Sequence, residues 1–155
     1  MKKPKKSKKQ PRAYAFVQDW GLYPDQTMVV VGTKDPEDFF TFFKKFKVHA
    51  LLAKDYLTWM KAHGLGSEGD NGSFSCVDSE NGRMTVLYLK EWPKNASWKN
   101  YETLLHELHH AVNFVLVKHR GMGDEWEAQA YAQERLFHAI RRKLDKVDKC
   151  EMHTV

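Results

Sequence analysis

The pentad His106-Glu107-Leu108-His109-His110 joins residue types that can activate water on a metal. On a helix, residues four apart share one face. His106 and His110 can therefore offer two imidazole nitrogens to a single Zn2+, and Glu107 beside them can act as the base that deprotonates a zinc-bound water. A motif with three fixed residues recurs by chance, and this chain has eight histidines. Its weight depends on the elements that must position it.

The pentad lies within the apolar run TLLHELHHAVNFVLV, where Leu104, Leu108, Ala111, Val112 and Val115 recur at helical spacing. Ser97 and Asn100 are the candidate N-caps. Gly121 and Gly123 close the segment, and Lys118, His119 and Arg120 fill its last turn, where positive charge suits the helix dipole. A His-Glu-His-His cluster in an apolar stripe is costly to bury without partners, and a metal would supply one.

A catalytic zinc takes three protein ligands and keeps one position for water. The segment from Asp124 to Glu134 predicts a second helix, with Trp126, Ala130, Phe137, Ile140, Leu144 and Val147 as its apolar stripe to about residue 147. The short Gly121-Met122-Gly123 link makes the two helices an antiparallel pair. Three acids are candidates for the third ligand: Asp124, Glu125 and Glu127. Glu127 is favoured because it borders the Trp126–Ala130 stripe, where Ala128 and Ala132 permit close helix approach; Glu125 comes next. All three acids also suit a helix N-terminus without any metal.

His106 to His110, followed by Glu127-Ala128-x-x-Tyr131-Ala132-x-Glu134, resembles the zincin core of the ImmA/IrrE-type metallopeptidases. It resembles more closely the small phage-encoded metallopeptidases that read His-Glu-Leu-x-His-Ala-Val with a downstream Glu-Ala-x-Ala-Tyr. The likeness is strongest over residues 101–137. It implies that His106, His110 and Glu127 bind zinc and that Glu107 is the catalytic base; the expected setting is the cytoplasm, that of the host if the chain is phage-encoded. Gln129 and Tyr131 depart from the Asn and Phe of the ImmA-type pattern. Tyr131 also stands where thermolysin-like enzymes place an Asp, and Asn113 and Leu116 stand where metzincins place a glycine and a third histidine. Asn113 and Glu134 are the candidates to orient an imidazole, and Tyr131, His109 and His138 the candidates to steady an oxyanion.

The rest of the chain bounds these readings. Its 155 residues fit one domain, taken as 13–150 with a flexible 151–155 end. Residues 1–12 hold seven of the 25 Lys and Arg and no acid; the remainder has 18 basic and 20 acidic residues, a formal charge of −2. The basic excess thus belongs to a tail expected to be disordered, which can touch nucleic acid non-specifically or simply solubilise the chain. No apolar run is long enough for a membrane span, and no apolar stretch follows the basic start as in a secretory signal. Cys76 and Cys150 lack metal-motif spacing and read as free thiols in a reducing compartment.

Between tail and pentad the pattern mixes helix and strand. Residues 27–31 read as a strand. Asp35 and Pro36 start a helix with Phe39, Phe40, Phe43 and Phe46 as its core stripe, and helical character resumes after a break near Val48 and runs to Gly64. Residues 73–78 and 83–90 form a hairpin around Glu80-Asn81-Gly82, the second strand apolar on both faces. The expected fold is α+β: a minimal zincin-like core with a small mixed or antiparallel sheet against the pentad helix and a following antiparallel helix. By the family resemblance, residues 83–90 are the strand that pairs with an extended peptide. The expected function is zinc-dependent peptide hydrolysis on a protein or peptide substrate. The alternative is a non-catalytic, metal-stabilised regulatory or nucleic-acid-binding protein acting through its tail, in which Glu107 is dispensable.

Overall fold

The computed structural model describes residues 13–67 and 69–146. The basic tail, Val147, Cys150 and residues 151–155 lie outside them. In chain order the elements are β1 (Tyr14–Asp19), β2 (Gln26–Val31), α1 (Pro36–Lys45), α2 (Ala50–His63), β3 (Gly72–Ser79), β4 (Gly82–Leu89), α3 (Trp98–Val112) and α4 (Trp126–Leu144). A π-helical segment, Asn113–His119, continues α3. The four strands form one mixed sheet in the order β1-β2-β4-β3. Its outer pairs are antiparallel and its central β2–β4 pair is parallel.

Helices cover both faces of this sheet, which explains the two-sided apolar pattern of β4. Val29, Val31, Leu87 and Leu89 pack with α3 and α4, including Leu104, Leu108, Leu136 and Ile140. Met28, Val30, Met84 and Val86 pack with α1 and α2 around Phe39, Phe43 and Tyr56. The strand β1 departs from expectation, having no counterpart in the sequence reading. Tyr14, Ala15 and Phe16 are buried in succession, so the alternation that marks a one-sided strand is missing.

The central seam carries a buried polar relay. The Trp20 indole N–H donates to Thr27 Oγ1 at 2.9 Å, and Thr27 Oγ1 lies 3.0 Å from Thr85 Oγ1. Thr85 spends its proton on the Gln26 carbonyl at 2.6 Å, so Thr27 is the donor to Thr85. Each hydroxyl in the relay is satisfied, which is what burial of polar groups requires.

In α1 the Asp35 side chain accepts from the Glu37 N–H at 2.9 Å, and Pro36 opens the helix as anticipated. The aromatic stripe is corrected in one position. Phe42 is buried, whereas Phe40 is 47% exposed under the Lys44 ammonium. Phe39, Phe42, Phe43 and Phe46 follow the i, i+3, i+4, i+7 face; Phe40 falls beside it. The chain then breaks at Lys47, in the left-handed region at φ 54°, and restarts in α2. Tyr56 of α2 bonds Ser75 at 2.6 Å, and Asp55 accepts from Ser79 and Asn81 at the hairpin tip. These bonds fix the β3–β4 hairpin to the helical layer.

Cys76 on β3 is half-buried, and burial pushes its thiol up to about 12. A thiol so far above neutrality is almost entirely protonated, and the thiolate is the reactive form. In a Cys150→Ser chain, Cys76 should alkylate with iodoacetamide at pH 8 about 100-fold more slowly than free cysteine; mass spectrometry over time checks this. No helix among the described residues is long and apolar enough to cross a membrane.

Candidate metal centre

The helix that carries the pentad is fixed at both ends. Ser97 is its N-cap and Asn100 its N3 residue, so the two candidates share one cap: the Ser97 N–H donates to Asn100 Oδ1 at 2.9 Å. Leu104, Leu108, Ala111 and Val112 face the core, with Val115 and Leu116 buried in the π segment beyond. Past that segment, the Arg120 guanidinium donates to Asp25 at 2.7 Å, tying the helix end to the β1–β2 turn.

His106 and His110 emerge on the opposite face into a cleft of about 750 Å³. Their Nε2 atoms lie 3.1 Å apart. Two nitrogens bound to one tetrahedral zinc at ~2.0–2.1 Å stand about 3.3 Å apart, so the pair fits a shared metal ion with little adjustment. Burial first, then the neighbouring His106 and His109, push the His110 imidazole below its usual range. That keeps the ring neutral, the state in which it donates a lone pair.

Glu107 is only 7% exposed, yet it lines the same cleft. Its carboxylate accepts from the Phe74 N–H on β3. Burial raises its pKa above the ordinary carboxylate value, with His106 and the Phe74 bond opposing and Asp70 adding to the rise. A carboxylate moved toward neutrality is better matched to taking up and releasing a proton.

β3 passes close to α3 because Gly72 has no side chain. A Cβ there would come within 2.8 Å of Thr103 Cγ2 and 3.1 Å of both Glu107 Cγ and the Tyr88 carbonyl oxygen. The role assigned by resemblance to residues 83–90 is corrected here. β4 is hydrogen-bonded on both sides, to β2 and β3, so it has no free edge. The free edge beside the cleft belongs to β3, and Gly72, Ser73 and Phe74 line the cleft.

The second helix buries Ile140 and Leu144 of the expected stripe, with Phe137 partly buried, but its start is phased differently. Ala132, Leu136, Ile140 and Leu144 form its buried stripe, while Trp126 is 73% exposed and Ala130 is also exposed. Asp124 and Glu125 precede the helix, and Glu127 stands exposed in its first turn. Gln133 nevertheless reaches the Leu105 carbonyl at 3.3 Å, so α4 packs along α3 as an antiparallel neighbour. Among the described residues, no three His, Cys, Asp or Glu side chains converge on one point; the structure brings His106, Glu107 and His110 to the cleft but not Glu127.

The auxiliary candidates divide likewise. Asn113 lines the cleft. Glu134 faces solvent beside His138, 3.8 Å away on α4; Glu134 therefore does not orient a pentad imidazole, and His138, the oxyanion candidate, does not line the cleft. The Tyr131 hydroxyl accepts from Arg135, away from the cleft lining, and His109 is exposed next to His110. The sequence reading missed Phe74, Phe114 and Lys118, which also line the cleft. The four-residue spacing that runs on from His106 and His110 to Phe114 and Lys118 held a signal for the last two.

No family model, curated protein or solved structure matches the chain.

Proposed function

We propose that this chain is a small zinc-dependent metallopeptidase of zincin type. One observation carries the reading: two imidazole nitrogens 3.1 Å apart share a cleft with a buried glutamate of raised pKa. His106 and His110 are the metal ligands; the family resemblance names Glu127 as third ligand, with Glu125 as its competitor, and because neither lines the cleft, either reaches the metal only if the start of α4 moves toward it. Bound zinc supplies a Lewis acid and a water acidic enough to attack near neutral pH. Glu107 takes the proton of the attacking water and delivers it to the leaving amine. The free edge of β3 offers backbone groups to an extended peptide, the pairing mode that lets many unrelated sequences bind. A purely structural metal site has no use for Glu107 in this position.

Zinc content of purified protein tests the ligand set. The full chain should hold one zinc, and His106→Ala or His110→Ala should lose it under dialysis that leaves wild type loaded. Glu127→Ala should weaken zinc at least tenfold while Glu125→Ala leaves it near wild type. Full zinc retention in both histidine variants would remove the proposed centre; the reverse order of the two glutamate variants would move the third ligand to Glu125.

A further inference from the structure

The cleft is asymmetric, and its asymmetry supplies a preference that the hydrolytic residues do not. Beyond His110, the Phe74 and Phe114 rings lie 6.0 Å apart, tilted at 55°. Both are only partly buried, and both line the cleft. They form an aromatic shelf, one ring from the edge strand and one from the helix. The Lys118 ammonium lies 5.7 Å from the Phe114 ring centre and also lines the cleft. Among the described residues no carboxylate pairs with Lys118.

His106, His110, Phe114 and Lys118 follow one another at four-residue spacing, the row that shares a helix face. The row runs into the segment Asn113–His119, which is π-helical. Val117 is half-buried and Lys118 opens onto the cleft. π turns inside α-helices often sit at functional positions.

We infer that Phe74, Phe114 and Lys118 form a recognition subsite for a large apolar side chain followed by a carboxylate. The substrate class is a peptide with an aromatic or large aliphatic residue on the His110 side of the cleaved bond. The carboxylate comes either from an acidic side chain or from the peptide's own C-terminus. This inference rests on the peptidase reading for its biological use, but binding alone tests it.

The probes are acetyl-Gly-Gly-Phe-Glu-Gly-Gly-amide, its Phe-Gln, Phe-Lys and Ala-Glu counterparts, and acetyl-Gly-Gly-Phe as free acid and as amide. Each is titrated calorimetrically into the full chain, with Glu107→Gln as the zinc-loaded, slow-cleaving form. The Phe-Glu peptide should bind about fivefold more tightly than Phe-Gln, the size of a half-exposed ion pair. It should bind about tenfold more tightly than Ala-Glu, from partial burial of the ring. Lys118→Met should erase the Glu preference and leave the Phe preference; Phe114→Ala should do the converse. Lys118→Glu should shift preference to Phe-Lys. If the free acid outranks its amide by more than Phe-Glu outranks Phe-Gln, the C-terminus is the carboxylate source; the opposite order assigns an acidic side chain. Equal binding of Glu and Gln peptides, a preference untouched by Lys118→Met, or no binding of any probe at millimolar concentration overturns the subsite. Cleavage of casein by zinc-loaded wild type, measured separately, distinguishes this failure from failure of the peptidase itself.

Discussion

Glu107→Gln is expected to lower the peptidase rate about 100-fold or more, the usual size of a general-base contribution, with zinc content unchanged. Glutamine keeps the shape of the side chain and an oxygen to accept the Phe74 N–H, but it cannot carry the proton. The same substitution has a stability signature. Burial raises the folded-state pKa of Glu107 above its ordinary value of 4.5. In metal-free protein, wild type therefore loses stability relative to Glu107→Gln as pH rises from below that value through the raised one. Thermal unfolding of the two metal-free chains should show the variant gaining on wild type over that interval, then holding a constant lead. A protein in which Glu107→Gln keeps full proteolytic activity does not use this residue as its base.

Gly72→Val should be the most damaging single change outside the pentad. The new side chain meets Thr103 and Glu107 on the helix and the Tyr88 carbonyl on the strand behind. Side chains can yield, but the carbonyl belongs to a strand paired on both sides and cannot move far. Overpacking of this kind costs ~1–3 kcal/mol, measurable as a lower denaturation midpoint. The clash also pushes Glu107 away from the histidine pair, so activity should fall by tenfold or more even in the fraction that remains folded. Gly72→Ala should cost less, and adding Thr103→Ser, which removes the nearest methyl, should recover part of the loss. Strict additivity of these two changes would show that Thr103 is not the group in the way.

The parts of this molecule legible in sequence are those set by local rules. The Asp35-Pro36 helix start, the break near Val48, the hairpin at Glu80-Asn81 and the cap region narrowed to Ser97 or Asn100 each depend on residues within a turn or two. The pentad was legible because two imidazoles and a carboxylate need helical spacing to share a cleft. What escaped depends on long-range partners or phase. β1 is buried on both faces, so its pattern lacks alternation. The edge position of β3 follows from strand order, which no local pattern carries. The α4 stripe held at Ile140 and Leu144 but was misphased at its start, because Trp126, the largest apolar residue of the segment, suggested a buried face where it is in fact exposed. The π turn turns on a single extra residue, and neither glycine nor proline announces it.

Among the described residues, every one that lines the cleft falls within Asp70 to Lys118, whereas the seam beneath it joins Thr27 to Thr85. The cleft is therefore assembled by contacts between chain neighbours: a hairpin and the helix that follows it. The seam requires closure of the long loop containing α1, α2 and β3, and that closure carries an entropy cost before any contact repays it. Among the described residues, those before Asp70 contribute no side chain to the cleft, yet they supply Tyr14, Phe16, Trp20, Val29 and Val31 to the core on which α3 rests. In folding terms the work is divided: one stretch of chain draws the outline of the cleft, and the distant stretch, arriving by slower closure, makes that outline rigid.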